Sequence, residues 1–165
     1  DFALSFYKSQ EAAGADLPHA PTAWENKKVL ISLSDKENEK DTVLFIGKTL
    51  QKLGFTLLAT DGTADFYNAN GIKCDVVNKI GAGRPDVLDS IMNKEVCLVI
   101  NTPKAKRNYA EDRKTIRKAC LKYKVAYITT LAGAKAAVQG IASVKNGNGG
   151  EGGVKSLQDY HAMIK

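Results

Sequence analysis

The chain has 165 residues, 44% of them hydrophobic, which suits one domain with an ordinary core and excludes wholesale disorder. Its 24 basic and 18 acidic residues leave a formal charge of +6. That balance points to an anionic partner, yet no basic run interleaved with aromatics marks a nucleic-acid groove.

Residues 1–27 read as a lead-in: Phe2, Leu4, Phe6 and Tyr7 suit the end of a helix from a preceding domain, and Gly14, Pro18 and Pro21 break any regular pattern after it. An opening on Asp1 rather than Met suggests a piece of a longer protein. The compact domain is expected over residues 28–144. Within it Val29–Leu33 reads as a buried strand. Residues 39–53 then carry Val43, Ile46, Leu50 and Leu53 on one helical face, with Ser34 and Glu37 spaced as a capping box and Gly54 as the stop. Phe55–Thr60 is the second strand, Thr63–Asn70 a short helix ended by Gly71, and Cys74–Val77 a brief third strand. Pro85 suits the first turn of a helix bearing Val87, Leu88 and Ile91. Val96–Ile100 is the fourth strand, and residues 111–123 form a helix with Ile116, Ala119, Cys120 and Tyr123 inward. Val125–Thr129 is the fifth strand and Leu131–Ile141 the last helix. Residues 145–165 read as a glycine-rich linker followed by a short docking segment through Leu157, Tyr160 and Ile164.

Strands alternating with helices predict a three-layer α/β/α fold around a five-stranded parallel sheet. Ligands of such sheets bind beyond the carboxyl ends of the strands. Ser34, Asp35 and Lys36 follow the first strand, with Lys40 a little later. Thr60-Asp61-Gly62-Thr63 follows the second, Asn78-Lys79 the third, Asn101-Thr102 the fourth, and Thr129-Thr130 the fifth. The Thr60–Thr63 turn joins a glycine, two hydroxyls and a helix N-terminus, a combination that suits a phosphate monoester. Lys40 and Lys79 would balance its charge. Thr60 and Thr63 equally suit helix capping, and the lysines equally suit solvent. Asn101 offers a ribose or base contact, or ends a strand. Asp112 offers a ligand contact, or complements a helix dipole.

Several chemistries lack their residues. No P-loop is present, and Gly81-Ala82-Gly83-Arg84-Pro85 lacks the third glycine of a dinucleotide fingerprint. His19 and His161 lie in the tails, and nothing in the sequence pairs Asp35, Asp61, Asp75 or Asp86 as acid and base. Cys74, Cys97 and Cys120 are far apart and odd in number, so reduced core thiols in a cytoplasmic protein are expected, with neither a disulfide framework nor a metal site. No apolar stretch is long enough to span a membrane, and no signal-peptide pattern opens the chain. The basic helix with Arg113, Lys114, Arg117, Lys118 and Lys122 reads as a solvated face rather than a nucleic-acid surface.

Ala59-Thr60-Asp61-Gly62-Thr63, Val77-Asn78-Lys79, Gly83-Arg84-Pro85-Asp86, Val99-Ile100-Asn101-Thr102, Glu111-Asp112, Ile116-Arg117-Lys118 and Tyr123-Lys124-Val125 succeed one another in an order and spacing that resembles the C-terminal allosteric domain of carbamoyl-phosphate synthase large chains. The resemblance covers about residues 27–142 and implies a methylglyoxal-synthase-like fold without catalytic residues of its own. It implies a site for UMP, an inhibitor in bacterial relatives, and IMP, an activator. The phosphate side corresponds to Lys40, Thr60, Gly62, Thr63 and Lys79. The ribose and base side corresponds to Ile80, Val87, Asn101, Thr102, Asp112, Thr115 and Ile116. Tyr127 and Thr129 match the edge where ornithine binds in some relatives. Implied partners are the synthetase domains of the same chain and the glutaminase small subunit. The implied parent enzyme uses ATP, magnesium or manganese, and potassium to make carbamoyl phosphate for pyrimidine and arginine synthesis, and no cofactor is expected in this domain. Pro103 and Thr115 depart from the family pattern, which has a threonine and an aliphatic residue there. Methylglyoxal synthase shares the fold and is the competing enzymatic reading, but its core histidines and its aspartate after the fourth strand have no counterpart here.

Overall fold

The structure is a computed structural model and describes residues 2–12, 16–22, 25–34, 36–102 and 110–147. Five strands, β1 (Lys28–Ser32), β2 (Thr56–Ala59), β3 (Cys74–Val76), β4 (Val96–Asn101) and β5 (Ala126–Ile128), form one sheet in the order β3-β2-β1-β4-β5. Every pairing is parallel. The helices are α1 (Phe2–Ala12), α2 (Lys40–Leu53), α3 (Asp61–Ala69), α4 (Val87–Met92), α5 (Ala110–Tyr123) and α6 (Leu131–Lys145).

Side chains alternate across a strand, so each strand feeds both faces of the sheet. Val29, Ile31, Leu57, Ala59, Leu98 and Ile100 point into the larger core, with Val43, Ile46 and Leu50 of α2, Phe66 and Tyr67 of α3 and Ala134, Ala137, Val138 and Ile141 of α6. Leu30, Leu58 and Val99 point the other way, onto Val87 and Ile91 of α4 and Cys120 of α5, with Ile116, Ala119 and Tyr123 packed alongside. Helices thus cover both faces, and continuous apolar runs in the strands are what a doubly covered parallel sheet requires.

The expected helices and strands are all present, with shifted ends. Gly54 adopts φ 99° and closes α2, a left-handed turn that glycine takes without Cβ strain. Ser34 and Glu37 do not cap α2. The helix begins at Lys40, after Glu39, with no side-chain cap, and the Ser34 hydroxyl lies 3.3 Å from Thr102 Oγ1 instead. Pro85 lies outside α4. Asp86 is its N-cap, and the box is reciprocal: Asp89 N–H donates to Asp86 Oδ1 at 3.0 Å, and Asp86 N–H donates to Asp89 Oδ2 at 2.9 Å. The last helix runs on to Lys145. Ahead of β1, α1 packs along α6, and Tyr7 and Leu17 join the larger core. Asp35, Pro103 and residues 148–165, which include the expected docking segment, lie outside the described residues.

Gly47 sits under the Tyr67 ring, where a Cβ would collide with it. Tyr67 is fully buried and donates its hydroxyl to Val43 O at 2.9 Å, so it cannot swing away without leaving that oxygen unpaired. Gly47→Ala therefore destabilises the domain by about 1–3 kcal/mol through overpacking, although alanine is the better helix former. A urea unfolding curve for the variant should show the lower midpoint.

The three cysteines are free thiols. Burial pushes Cys74 and Cys120 up to about 12 and Cys97 to about 11, so the unreactive thiol form persists at neutral pH. Released on unfolding, they ionise nearer 9. Between those limits the unfolded chain binds fewer protons than the native one, so stability falls as pH rises. The urea midpoint should be lower at pH 10.5 than at pH 8. Iodoacetamide at pH 8 should modify the unfolded chain far faster than the native one; rapid native labelling would contradict this account.

Candidate functional site

The chain lays β2 and then β3 on one side of β1, and afterwards places β4 and β5 on the other. Helices leaving β1 and β4 consequently lie on opposite faces, and a crevice opens between the carboxyl ends of those two strands. A cavity of about 70 Å³ occupies it, room for roughly five ordered waters. Leu30, Val99, Val87 and Ile116 make its apolar wall.

The polar lining falls into two groups. Thr60, at the end of β2, and Lys79, just beyond β3, stand on one side. Asn101 and Thr102 at the end of β4, with Asp112 on the first turn of α5, stand on the other. Ile80, Val87 and Ile116 join them, so most of the sequence-derived candidates meet in one place. Lys40, Gly62, Thr63 and Thr115 do not line the cavity. Lys40 is exposed on the first turn of α2. Thr115 turns its hydroxyl back to Glu111 O at 3.0 Å along its own helix.

Thr60 and Thr63 have separate duties. Thr60 precedes α3 and its carbonyl accepts from Thr63 and Ala64 N–H, but its side chain makes no capping bond. Thr63 is buried, and its Oγ1 accepts the Leu33 N–H at 3.2 Å. Thr102 does the same for the next amide: its Oγ1 accepts the Ser34 N–H at 3.0 Å, while its own N–H donates to Ser32 O at 2.9 Å. The turn leaving β1 is thus held from both sides of the crevice. Within it Lys36 donates to Leu33 O at 3.1 Å and brings its ammonium about 4.0 Å from where a Cβ of Gly62 would stand.

Sequence reasoning missed Leu30, Ser32, Val99 and Arg113 among the lining residues. The first three face the crevice only because of strand register: Ser32 pairs with Asn101 at the ends of β1 and β4. In the sequence Arg113 is one more charge on a solvated helix face.

A second, open groove runs along the β5 edge past Arg113, Arg117, Leu121, Tyr127 and Thr129. Asn101 joins the two hollows, since it lines both and its Nδ2 donates to Tyr127 OH at 3.4 Å. Burial raises the Tyr127 phenol above its ordinary range, and the Asn101 bond and the nearby guanidinium groups only partly offset this. The hydroxyl is therefore neutral at physiological pH. Among the described residues no cluster of His, Cys, Asp or Glu is arranged to hold a metal ion, and no helix is long and apolar enough to cross a membrane.

Residues 42–129 match the family described as the MGS-like domain. The chain is 46% identical over 161 residues to the carbamoyl phosphate synthase large chain of Archaeoglobus fulgidus, covering 98% of this chain and 14% of that protein. It is 44% identical over 144 residues to the carbamoyl phosphate synthase large chain, C-terminal section, of Methanopyrus kandleri, covering 87% of this chain and 25% of that one. To the Brucella suis large chain it is 40% identical over 160 residues, 97% of this chain and 13% of the relative. The chain thus spans about a seventh of the Archaeoglobus relative. The matched span runs from the first turn of α2 through the residue after β5, and so takes in the strand ends that form the crevice. This chain belongs to the MGS-like domain family, and it is similar over nearly its whole length to carbamoyl phosphate synthase large chains.

Proposed function

We propose that this domain is the regulatory part of a carbamoyl phosphate synthase large chain and binds a nucleoside monophosphate of the UMP or IMP type in the strand-end crevice. The observation that carries the reading is the sorting of the crevice lining. Thr60 and Lys79 stand at one end, beside the start of α3, while Asn101 and Asp112 stand at the other, with an apolar wall between. A phosphate would take the first end, where a lysine, a hydroxyl and the α3 N-terminus can make charge-assisted bonds to it. Ribose hydroxyls would take Asn101 and Asp112, and the base would lie on Val87, Ile80 and Ile116. The enclosed volume suits a phosphate or a single ring, so the rest of a nucleotide would extend along the open mouth.

Regulation needs a ligand that distinguishes two states of the whole enzyme. Asn101 offers a route, because a ligand drawing on its amide competes with Tyr127 for it. The groove beyond, with Tyr127 and Thr129, would then face ornithine and the synthetase domains of the same chain. The glutaminase subunit, ATP, divalent metal and potassium belong to the parent enzyme, which would work in the cytoplasm on the pyrimidine and arginine routes. The domain itself would not catalyse.

Calorimetric titration of the chain with UMP and IMP tests the reading, with inorganic phosphate as the control. Saturable binding of at least one nucleotide is expected, weakening as salt is raised. Lys79→Ala should weaken it about tenfold or more, the loss of one charge-assisted bond. Nucleotide affinity unchanged in Lys79→Ala would remove the phosphate end from this crevice. Methylglyoxal formed from dihydroxyacetone phosphate would make the domain an enzyme instead.

A further inference from the structure

An open groove of about 660 Å³ runs along α2 and α6, toward the edge of the sheet opposite the strand-end crevice. Its apolar lining is Ala3, Phe45, Leu53 and Ala142, and its basic lining is Lys48, Lys52 and Lys145. Phe45 is exposed there, although Lys135 holds its ammonium 5.7 Å from the ring centroid. An aromatic ring left in water gains from an apolar cover.

The groove opens where the chain leaves the fold. Helices α2 and α6 each return from a strand of one parallel sheet, so they run in the same direction and end at the same edge. Their carboxyl ends are joined by Lys145 Nζ, which donates to Leu53 O at 3.2 Å. The chain departs at that end, through Asn146, which lines the groove, and Gly147, whose φ of 76° turns it. A helix placed after such a turn can run back between α2 and α6, antiparallel to both, as the second arm of an αα-hairpin.

Residues 148–165 have the sequence for that return. The glycine-rich Asn148–Gly153 reaches about 20 Å when extended. Val154, Leu157, Tyr160 and Ile164 then follow at spacings that make one helical stripe, with Lys155, Ser156 and Asp159 on the other side. A helix from Val154 to Ile164 rises about 15 Å, and α2 rises about 12 Å from Phe45 to Leu53, so stripe and groove are matched in length. We propose that the chain's own segment 154–165 docks in this groove as a short amphipathic helix. Its apolar stripe covers Phe45, Leu53 and Ala142, and Glu151 in the linker passes Lys52 and Lys145. Attachment through a short linker gives the segment an effective concentration that a separate partner lacks.

The test is a nitroxide label on Lys48→Cys in the whole chain, read by NMR at the amides of residues 154–165. The native thiols stay protonated, so the new one takes the label. The amide signals of the segment should lose most of their intensity to the nitroxide. They should regain it in the double variant Leu157→Asp, Ile164→Asp, which spoils the apolar stripe and leaves every described residue but Lys48 unchanged. Circular dichroism establishes that both labelled chains fold. Segment signals that keep full intensity beside the label overturn the proposal, and so does a loss that the double substitution fails to reverse. Equal loss between a nitroxide-bearing copy and a separate isotope-labelled copy assigns the groove to the segment of a second copy, and overturns the proposal as well.

Discussion

Strand β1 has β2 on one side and β4 on the other, and the chain reaches those two neighbours by travelling in opposite directions. Right-handed crossovers then dictate which face each connecting helix takes. The helices that accompany the outward run, α2 and α3, pack on one face, while α4 and α5 pack on the other. Among the described residues no helix crosses the carboxyl ends of β1 and β4, so the crevice is a consequence of the strand order and not of any single residue. Its walls are apolar because Leu30 and Val99 already point toward the α4–α5 face as part of the core. The sheet thus supplies the hollow and its lining, and the strand exits supply the polar groups.

Those exits must be held still for the polar groups to converge. The Leu33 and Ser34 amides lie beyond the β1 ladder and need acceptors of their own. Thr63 supplies one from α3, and Thr102 supplies the other from the end of β4. Two hydroxyls from opposite banks of the crevice therefore fix the turn between them. An arrangement tied in this way does not need a ligand to assemble it, and less binding energy is lost to ordering. The same bonds explain why Thr63 does not line the cavity while Thr60 does: the buried hydroxyl is committed to the fold.

How far the sequence discloses this depends on what each signal reports. Periodicity reports burial, so the strand and helix order and the inward faces of α2 and α5 are legible from Val43, Ile46, Leu50, Ile116 and Cys120. Local spacing is a poorer guide. Ser34 and Glu37 have the spacing of a capping box, yet Ser34 turns to Thr102, 68 positions away. Pro85 has the place of a first-turn residue, but Asp86 and Asp89 satisfy each other and move the cap beyond it. Thr60 and Thr63 are the same residue three apart, and only the position of the Leu33 amide separates them. Arg113 is hidden by its company: in a helix with Lys114, Arg117, Lys118 and Lys122, no property of the sequence marks one cation as inward. Register across the sheet decides such cases, and register becomes visible only when β1 and β4 are seen side by side.

The formal charge of +6 suggests an anion-binding surface, but the positive charge is mostly elsewhere. Lys114, Arg117, Lys118 and Lys122 of α5 are largely solvated, where a pair of opposite charges at 4 Å is worth about 1 kcal/mol. Among the described residues the cations lining the crevice are Lys79 and Arg113, and Asp112 lines it too. A cation set against an apolar wall can count for more than a crowded helix face, because the wall lowers the local dielectric and raises the strength of each contact. Charge total measures how the domain is seen from afar; charge placement measures what it can hold. For this fold charge placement is set by the strand order, which puts Lys79 and Arg113 on either side of β1.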